Sequence, residues 1–236
     1  MLDPPIQCTA RELLTSKSKQ YSRFQQEVIL SKDNRWMTNT KFRTYFALGD
    51  ALTSTSAEWM SWEDRLSLIL RGDAEFSSRH FTFKNLVESR TESETTLSRK
   101  ILEALSYRAD LVSITIGINS LLISDSQHAS VHNALTDGIA ELRSHDTTVL
   151  ITNRLDPPST LVTDAQRTLT AERNANIWRI AREQQSVVLD LWGMRELRET
   201  RMWDHDLKGL SDSGCRLLAR HASHTLGVPY AETNSR

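Results

Sequence analysis

Apolar positions from about residue 43 onward switch repeatedly between two periods. Short, nearly continuous apolar runs at 43–50, 81–87, 110–117, 147–153 and 187–192 predict strands. Runs such as Leu111-Val112-Ser113-Ile114-Thr115-Ile116 and Val149-Leu150-Ile151 suit strands buried on both faces. Between them, apolar residues three and four apart predict helices over 62–71, 95–107, 129–144 and 165–184. A last helix is predicted over 211–226, opened by Ser211 as N-cap and stopped by Gly227 ahead of Pro229. Strand–helix alternation of this kind builds a parallel sheet with helices on both faces. Such sheets place their sites at the carboxyl ends of the strands. Those ends are Gly49-Asp50-Ala51, 87–91, Gly117-Ile118-Asn119 and Asn153-Arg154.

Upstream, residues 9–30 carry a weaker helical stripe of Leu13, Leu14, Tyr21, Phe24, Val28 and Ile29. The polar stretch 31–41 reads as a linker. The expected organisation is an N-terminal helical extension and linker, 1–41, followed by an α/β domain, 42–236. No repeat with a period of 20–50 residues is visible.

Composition narrows the partners. The chain has 236 residues, 39% hydrophobic and 25% charged, an ordinary globular balance. Lys and Arg number 29 against 30 Asp and Glu, so no net field favours nucleic acid or an anionic membrane. No apolar run approaches the ~18 residues of a membrane-spanning helix. The first ten residues contain prolines and lack the basic-then-apolar order of a secretory signal. Cys8 and Cys215 are isolated, without metal-ligand or disulfide-framework spacing. A cytoplasmic, reducing setting is the expectation, and no cofactor is expected.

Three blocks, in order, carry candidate chemistry. The first is Tyr45-Phe46-Ala47-Leu48-Gly49-Asp50-Ala51-Leu52-Thr53. The next is Ile114-Thr115-Ile116-Gly117-Ile118-Asn119-Ser120. The last is Trp203-Asp204-His205-Asp206-Leu207-Lys208-Gly209-Leu210-Ser211, just before the final helix. Together they resemble the SGNH hydrolases, also called GDSL-type esterases and lipases, over roughly residues 43–229. The stretch Val188-Leu189-Asp190-Leu191-Trp192-Gly193, with Met194-Arg195-Glu196-Leu197 after it, resembles the actinobacterial branch of that family. The resemblance implies a three-layer α/β sandwich with a five-stranded parallel sheet, flavodoxin-like in arrangement.

It also implies roles that this chain fills only in part. At the family's nucleophilic serine stands Ala51, and a methyl group cannot attack a carbonyl. At its histidine base stands Gly209, which has no titratable side chain. The family's supporting aspartate corresponds to Asp206 and its oxyanion-hole asparagine to Asn119. An ungapped alignment from Asn85-Leu86 places Arg90 at the family's second oxyanion donor, a glycine. Losing a nucleophile and its base together removes the unit that makes ester hydrolysis fast. Ala51 alone would fit a substitution made to trap a ligand; Gly209 argues against that, since trapping needs only one change.

The expected pocket is therefore Asp50, Ala51, Arg90, Gly117, Asn119 and Asp206, with no metal. Each has a plainer role as well. Asp50 fits an Asx turn after the first strand, Asn119 a bonded loop amide, and Asp206 a loop carboxylate. Arg90 either plugs the pocket by pairing with Asp50 or Asp206, or presents a planar fork to an anionic ligand. His205 adjoins Asp206, but neighbouring side chains in an extended loop diverge. His221 and His224 have an i, i+3 spacing that can hold a metal, without a third ligand in view. Trp59, Trp62, Trp192 and Trp203 suit the core, with Trp59 near enough to the Ala51 loop to line a pocket.

The expected function is a pseudoenzyme that binds a small anionic or ester-like ligand, or a protein partner through the N-terminal helix. The competing expectation is an ester hydrolase or other enzyme with an unconventional site, for instance a nucleophile relocated to Ser54 or Ser56.

Overall fold

The computed structural model describes residues 42–49, 52, 59–73, 81–86, 93–116, 125–205 and 209–228, with backbone alone at 73 and 125–128. The N-terminal extension and linker expected over 1–41 lie outside these residues. Five strands form one sheet: β1 (Thr44–Gly49), β2 (Thr82–Asn85), β3 (Leu111–Thr115), β4 (Thr148–Thr152) and β5 (Val187–Leu189). Every pairing is parallel, in the order β2-β1-β3-β4-β5. Among the described residues five α-helices accompany them: α1 (Trp62–Asp73), α2 (Glu94–Ser106), α3 (Asp125–Ser144), α4 (Asp164–Glu183) and α5 (Asp212–Thr225). The expected α/β sandwich is the architecture observed. The chain leaves β1 for β2 on one side and returns to β3 on the other, so the direction of winding reverses between β1 and β3. Crevices form at such a switch point, outside the carboxyl ends of the strands.

Alternation along the buried strands separates two interiors. Phe46, Leu48, Val112, Ile114, Val149 and Ile151 face α2, α3 and α4 and form one continuous apolar cluster with them. Tyr45, Ser113 and Thr115 point to the opposite face, where α1 packs against α5. No helix among the described residues is long and apolar enough to cross a membrane.

Two boundaries differ from the apolar pattern. The last strand stops at Leu189, short of residue 192. There the Asn153 side-chain oxygen accepts the Leu191 and Trp192 N–H groups at 2.7 and 3.2 Å. The Asp190 carboxylate accepts from Asn153 Nδ2 at 2.5 Å and from the Gly193 N–H at 3.2 Å. These bonds curl the chain into a turn just where the apolar run would continue it. The α3 helix starts earlier than expected, at Asp125.

Four helices end alike. Arg108, Asp146, Gln185 and Gly227 follow α2, α3, α4 and α5 with φ of 51°, 61°, 49° and 68°. In each case the next residue's N–H reaches back to a carbonyl of the last turn: Ala109 to Ala104, Thr147 to Leu142, Ser186 to Ala181 and Val228 to Ser223. This is the Schellman arrangement, which favours glycine at the left-handed position. Only the last helix has one.

Candidate functional site

Neighbouring strands bring three of the expected segments to one edge. Gly49 is the register partner of Thr115, so the segments starting at 50 and 117 leave adjacent strand ends. The Leu86 N–H donates to the Ala47 carbonyl at 2.8 Å, which fixes where the segment carrying Arg90 departs beside β1. The Ile116 N–H donates to Thr152 Oγ1 at 3.2 Å and anchors the start of the Gly117 segment to β4.

The last block is tied to the start of α1, which follows the first block. The Trp59 indole N–H donates to the Leu210 carbonyl at 3.1 Å. Arg65 on α1 pairs with Asp212 on α5. Trp203 and Leu210 form an isolated antiparallel bridge, and the Asp204 N–H donates to the Gly209 carbonyl at 2.9 Å. Gly209 thus closes a short loop, half-buried, beside the Trp59 contact. α5 then begins with Ser211 Oγ accepting the Gly214 N–H at 3.3 Å.

Of the expected site residues, Gly209 falls within the description. Asp50, Ala51, Arg90, Gly117, Asn119 and Asp206 lie outside the described residues, as do Ser54 and Ser56. What the structure supplies is the frame from which those segments spring.

Several alternative candidates find ordinary roles. Trp62 and Trp203 are buried, and the Trp203 indole donates to the Leu197 carbonyl at 2.7 Å. Trp59 and Trp192 are half-buried, and the Trp59 N–H is already used as the strut to Leu210. His205 is exposed on its turn. Partial burial, reinforced by Arg220, lowers the His221 pKa. Among the described residues no group of three His, Cys, Asp or Glu side chains could hold a metal ion. Burial pushes the Cys215 thiol up to about 12, which makes it a poor nucleophile at neutral pH.

Asn153, a strand-end residue singled out by position, is committed to the turn after β5. The neighbouring Arg154 backbone is clasped by Asn174, whose Oδ1 accepts the Arg154 N–H at 2.8 Å and whose Nδ2 donates to the Arg154 carbonyl at 2.9 Å. Just beyond, the buried Asp156 carboxylate takes Arg167 at 2.6 Å and Arg198 at 2.7 Å, tying α4 to the 195–198 turn.

Two ionisable residues escaped the sequence reading. Glu63 and Lys100 are both fully buried, and they approach the same strand ends from opposite faces of the sheet. Lys100 Nζ donates to the Gly49 carbonyl at 3.3 Å, and Thr115 Oγ1 reaches Glu63 Oε1 at 3.5 Å. Burial drives the Glu63 carboxyl well above the usual carboxylate range, and bonds from Ser61, Thr115 and its own backbone only soften the effect. The signal was present in the periodicity. Glu63 stands in register with Leu66 and Leu70, and Lys100 with Leu97 and Ala104, on stripes that face the sheet.

Residues 47–217 match a family model described as the GDSL-like Lipase/Acylhydrolase family. No curated protein matches the chain. Among solved structures, a variant of an acetyl xylan esterase from Geobacillus stearothermophilus superposes with a TM-score of 0.62 at 16% identity, covering 82% of this chain and 100% of that one. A catalytic mutant of the same esterase, with a serine replaced by alanine, gives 0.62 at 15% identity over 81% of this chain and 97% of its own. An alpha/beta hydrolase enzyme from the metagenome of Lake Arreo, Spain, gives 0.63 at 14% identity over 80% and 97%. At such identities these likenesses speak for the fold alone.

Proposed function

Because the chain belongs to the GDSL-like lipase/acylhydrolase family, we propose that it is a member without Ser–His ester chemistry, which uses the carboxyl edge of β1 and β3 to bind a small ligand or partner. The observation that carries this is Gly209. It closes the loop of the last block, where the resemblance calls for a histidine, and it offers only backbone groups. Ala51 in the first block removes the matching nucleophile. Acyl transfer through a covalent intermediate needs both a nucleophile and a base within reach of it. Asn119 remains as a donor for a carbonyl or carboxylate oxygen, and Arg90 favours a ligand that is anionic or ester-like.

The test is hydrolysis of short-chain nitrophenyl esters. The chain as it stands gives no turnover above background. The double replacement Ala51→Ser with Gly209→His gains measurable activity, and neither single change does. Robust hydrolysis by the unaltered chain, blocked by a serine-directed phosphonate, overturns the proposal in favour of a nucleophile relocated to Ser54 or Ser56. That rival draws support from the esterase names of the structures with the same fold.

A further inference from the structure

Glu63 sits in the first turn of α1, wedged between that helix, the ends of β1 and β3, and α5. It is fully buried. Oε1 lies 3.5 Å from Thr115 Oγ1, the Ser61 hydroxyl and the Glu63 N–H soften the carboxyl's burial only in part, and Oε2 has no hydrogen-bond partner. The adjacent Trp62 indole N–H is buried and unpartnered too. An ionised carboxylate in such a place would be among the most expensive groups a fold can bury.

The groups facing Glu63 do not offset a negative charge. From β1 comes Tyr45, whose phenol exchanges a 2.8 Å hydrogen bond with Ser113 of β3 and whose own ionisation is suppressed by burial and by Glu63. From β3 come the Ser113 and Thr115 hydroxyls. From α1 itself comes Asp64, a like charge, bonded to Ser61 Oγ at 2.8 Å. From α5 comes Cys215, whose thiol is pushed up to about 12 by burial and by Glu63. The nearby cation, Arg65, is already paired with Asp212.

We propose that Glu63 is a buried protonation switch. Neutral, it lets α1 and α5 seat against the carboxyl ends of β1 and β3; ionised, it drives those two helices off the sheet. The elements it wedges are the ones that carry the first and last blocks. α1 follows the Ala51 segment, Trp59 just ahead of it holds Leu210, β3 leads into Gly117, and α5 follows Gly209. The apolar face on α2, α3 and α4 has no part in it. The sign is fixed by linkage. Above the unfolded-chain value near 4.5, the folded chain holds a proton that the unfolded chain releases, so stability falls as pH rises toward the raised value.

The test uses the full chain and does not depend on what the site binds or hydrolyses. Urea unfolding between pH 5 and 9 compares wild type with Glu63→Gln, which keeps the shape and cannot ionise. Across that range the wild-type folding constant falls by at least about tenfold more than that of the variant, since each unit of pKa shift is worth a factor of ten. Backbone hydrogen exchange on the wild type adds a spatial readout. After correction for the intrinsic pH effect, amides of α1 and α5 gain from pH 5 to 9 by about tenfold or more beyond the gain of those of α2 and α3, which follow only the global folding constant. Parallel pH profiles for the two proteins, or exchange rising equally on both faces, overturns the switch. If Glu63→Gln fails to fold, the wild-type exchange pattern decides alone.

Discussion

The two faces of the sheet bury different chemistry. On the α2–α3–α4 side, the strands offer Phe46, Leu48, Val112, Ile114, Val149 and Ile151, and the facing helices answer with Leu, Ile and Ala. On the α1–α5 side the same strands offer Tyr45, Ser113 and Thr115 beside Leu111 and Leu150, and the helices set Glu63, Trp62 and Cys215 among Leu66, Leu70 and Leu218. The first face needs only shape and gains by area. The second must satisfy polar atoms, and it leaves two of them, Glu63 Oε2 and Trp62 Nε1, without partners. Polar side chains are buried on the apolar side too, Thr170, Arg173 and Asn174 on α4 and Lys100 on α2, and Lys100 reaches the sheet's carboxyl edge to hold the Gly49 carbonyl. The comparison teaches where stability is stored and where responsiveness is kept: hydrocarbon away from the site, titratable groups beneath it.

The largest expected effect would break this comparison directly. Phe46→Ala, at a fully buried position on the apolar face, is expected to cost about 3–5 kcal/mol by urea unfolding. A loss below about 1.5 kcal/mol would mean that the stability reservoir lies elsewhere.

Next come two glycines, one on each side. A Cβ at Gly214 in α5 would stand 2.3 Å from the Met202 backbone carbonyl, which cannot step aside. A Cβ at Gly138 in α3 would stand 2.2 Å from the tip of Ile101, whose end can rotate. Gly214→Ala is expected to cost about 2–3 kcal/mol as overpacking. Gly138→Ala should stay within about 1 kcal/mol, because alanine's helix propensity offsets the crowding. Equal thermal shifts in the two variants would remove the distinction.

The Tyr45–Ser113 bond sharpens the polar face. Tyr45→Phe or Ser113→Ala alone should cost about 1–3 kcal/mol, since each strands a buried hydroxyl. The double variant should cost less than the sum of the two, and the cycle should report a coupling of at least about 0.5 kcal/mol. Additivity within error would mean that the pair does not act as a unit.

The smallest effect concerns the helix ends. Arg108→Gly, Asp146→Gly or Gln185→Gly relieves a left-handed residue and should stabilise by about 0.5 kcal/mol, while Gly227→Ala should lose about 1 kcal/mol. Denaturant midpoints read the sign.

Much of this fold was written locally. Parallel strands buried on both faces are mostly apolar, so β1 stood out by Tyr45-Phe46-Ala47-Leu48 and β3 and β4 by short runs of Leu, Ile and Val. Ser211 at the head of α5 and Gly227 at its end bracketed that helix by capping chemistry alone. The ends of α2, α3 and α4 fall within a residue of the expected ones, although Arg108, Asp146 and Gln185 occupy there a conformation that sequence assigns to glycine. The end of β5 was hidden because Asn153 and Asp190 stop it through side-chain bonds across the sheet. The candidate site was legible as blocks, and of those positions Gly209 is the one whose surroundings the structure adds.

Sequence alone determined the strand–helix alternation, the fold class, and the presence of Ala51 and Gly209 where the resemblance implies a nucleophile and a base. Those are properties of residue identity and local period. Tertiary structure decided which charged residues face inward. Glu63 reads on the chain as one of two acids in a helix's first turn, an ordinary solvated position that suits the helix dipole. Only the packing of α1 between the sheet and α5 takes that carboxyl out of water, and desolvation depends on neighbours distant in the chain rather than on the residue's own type.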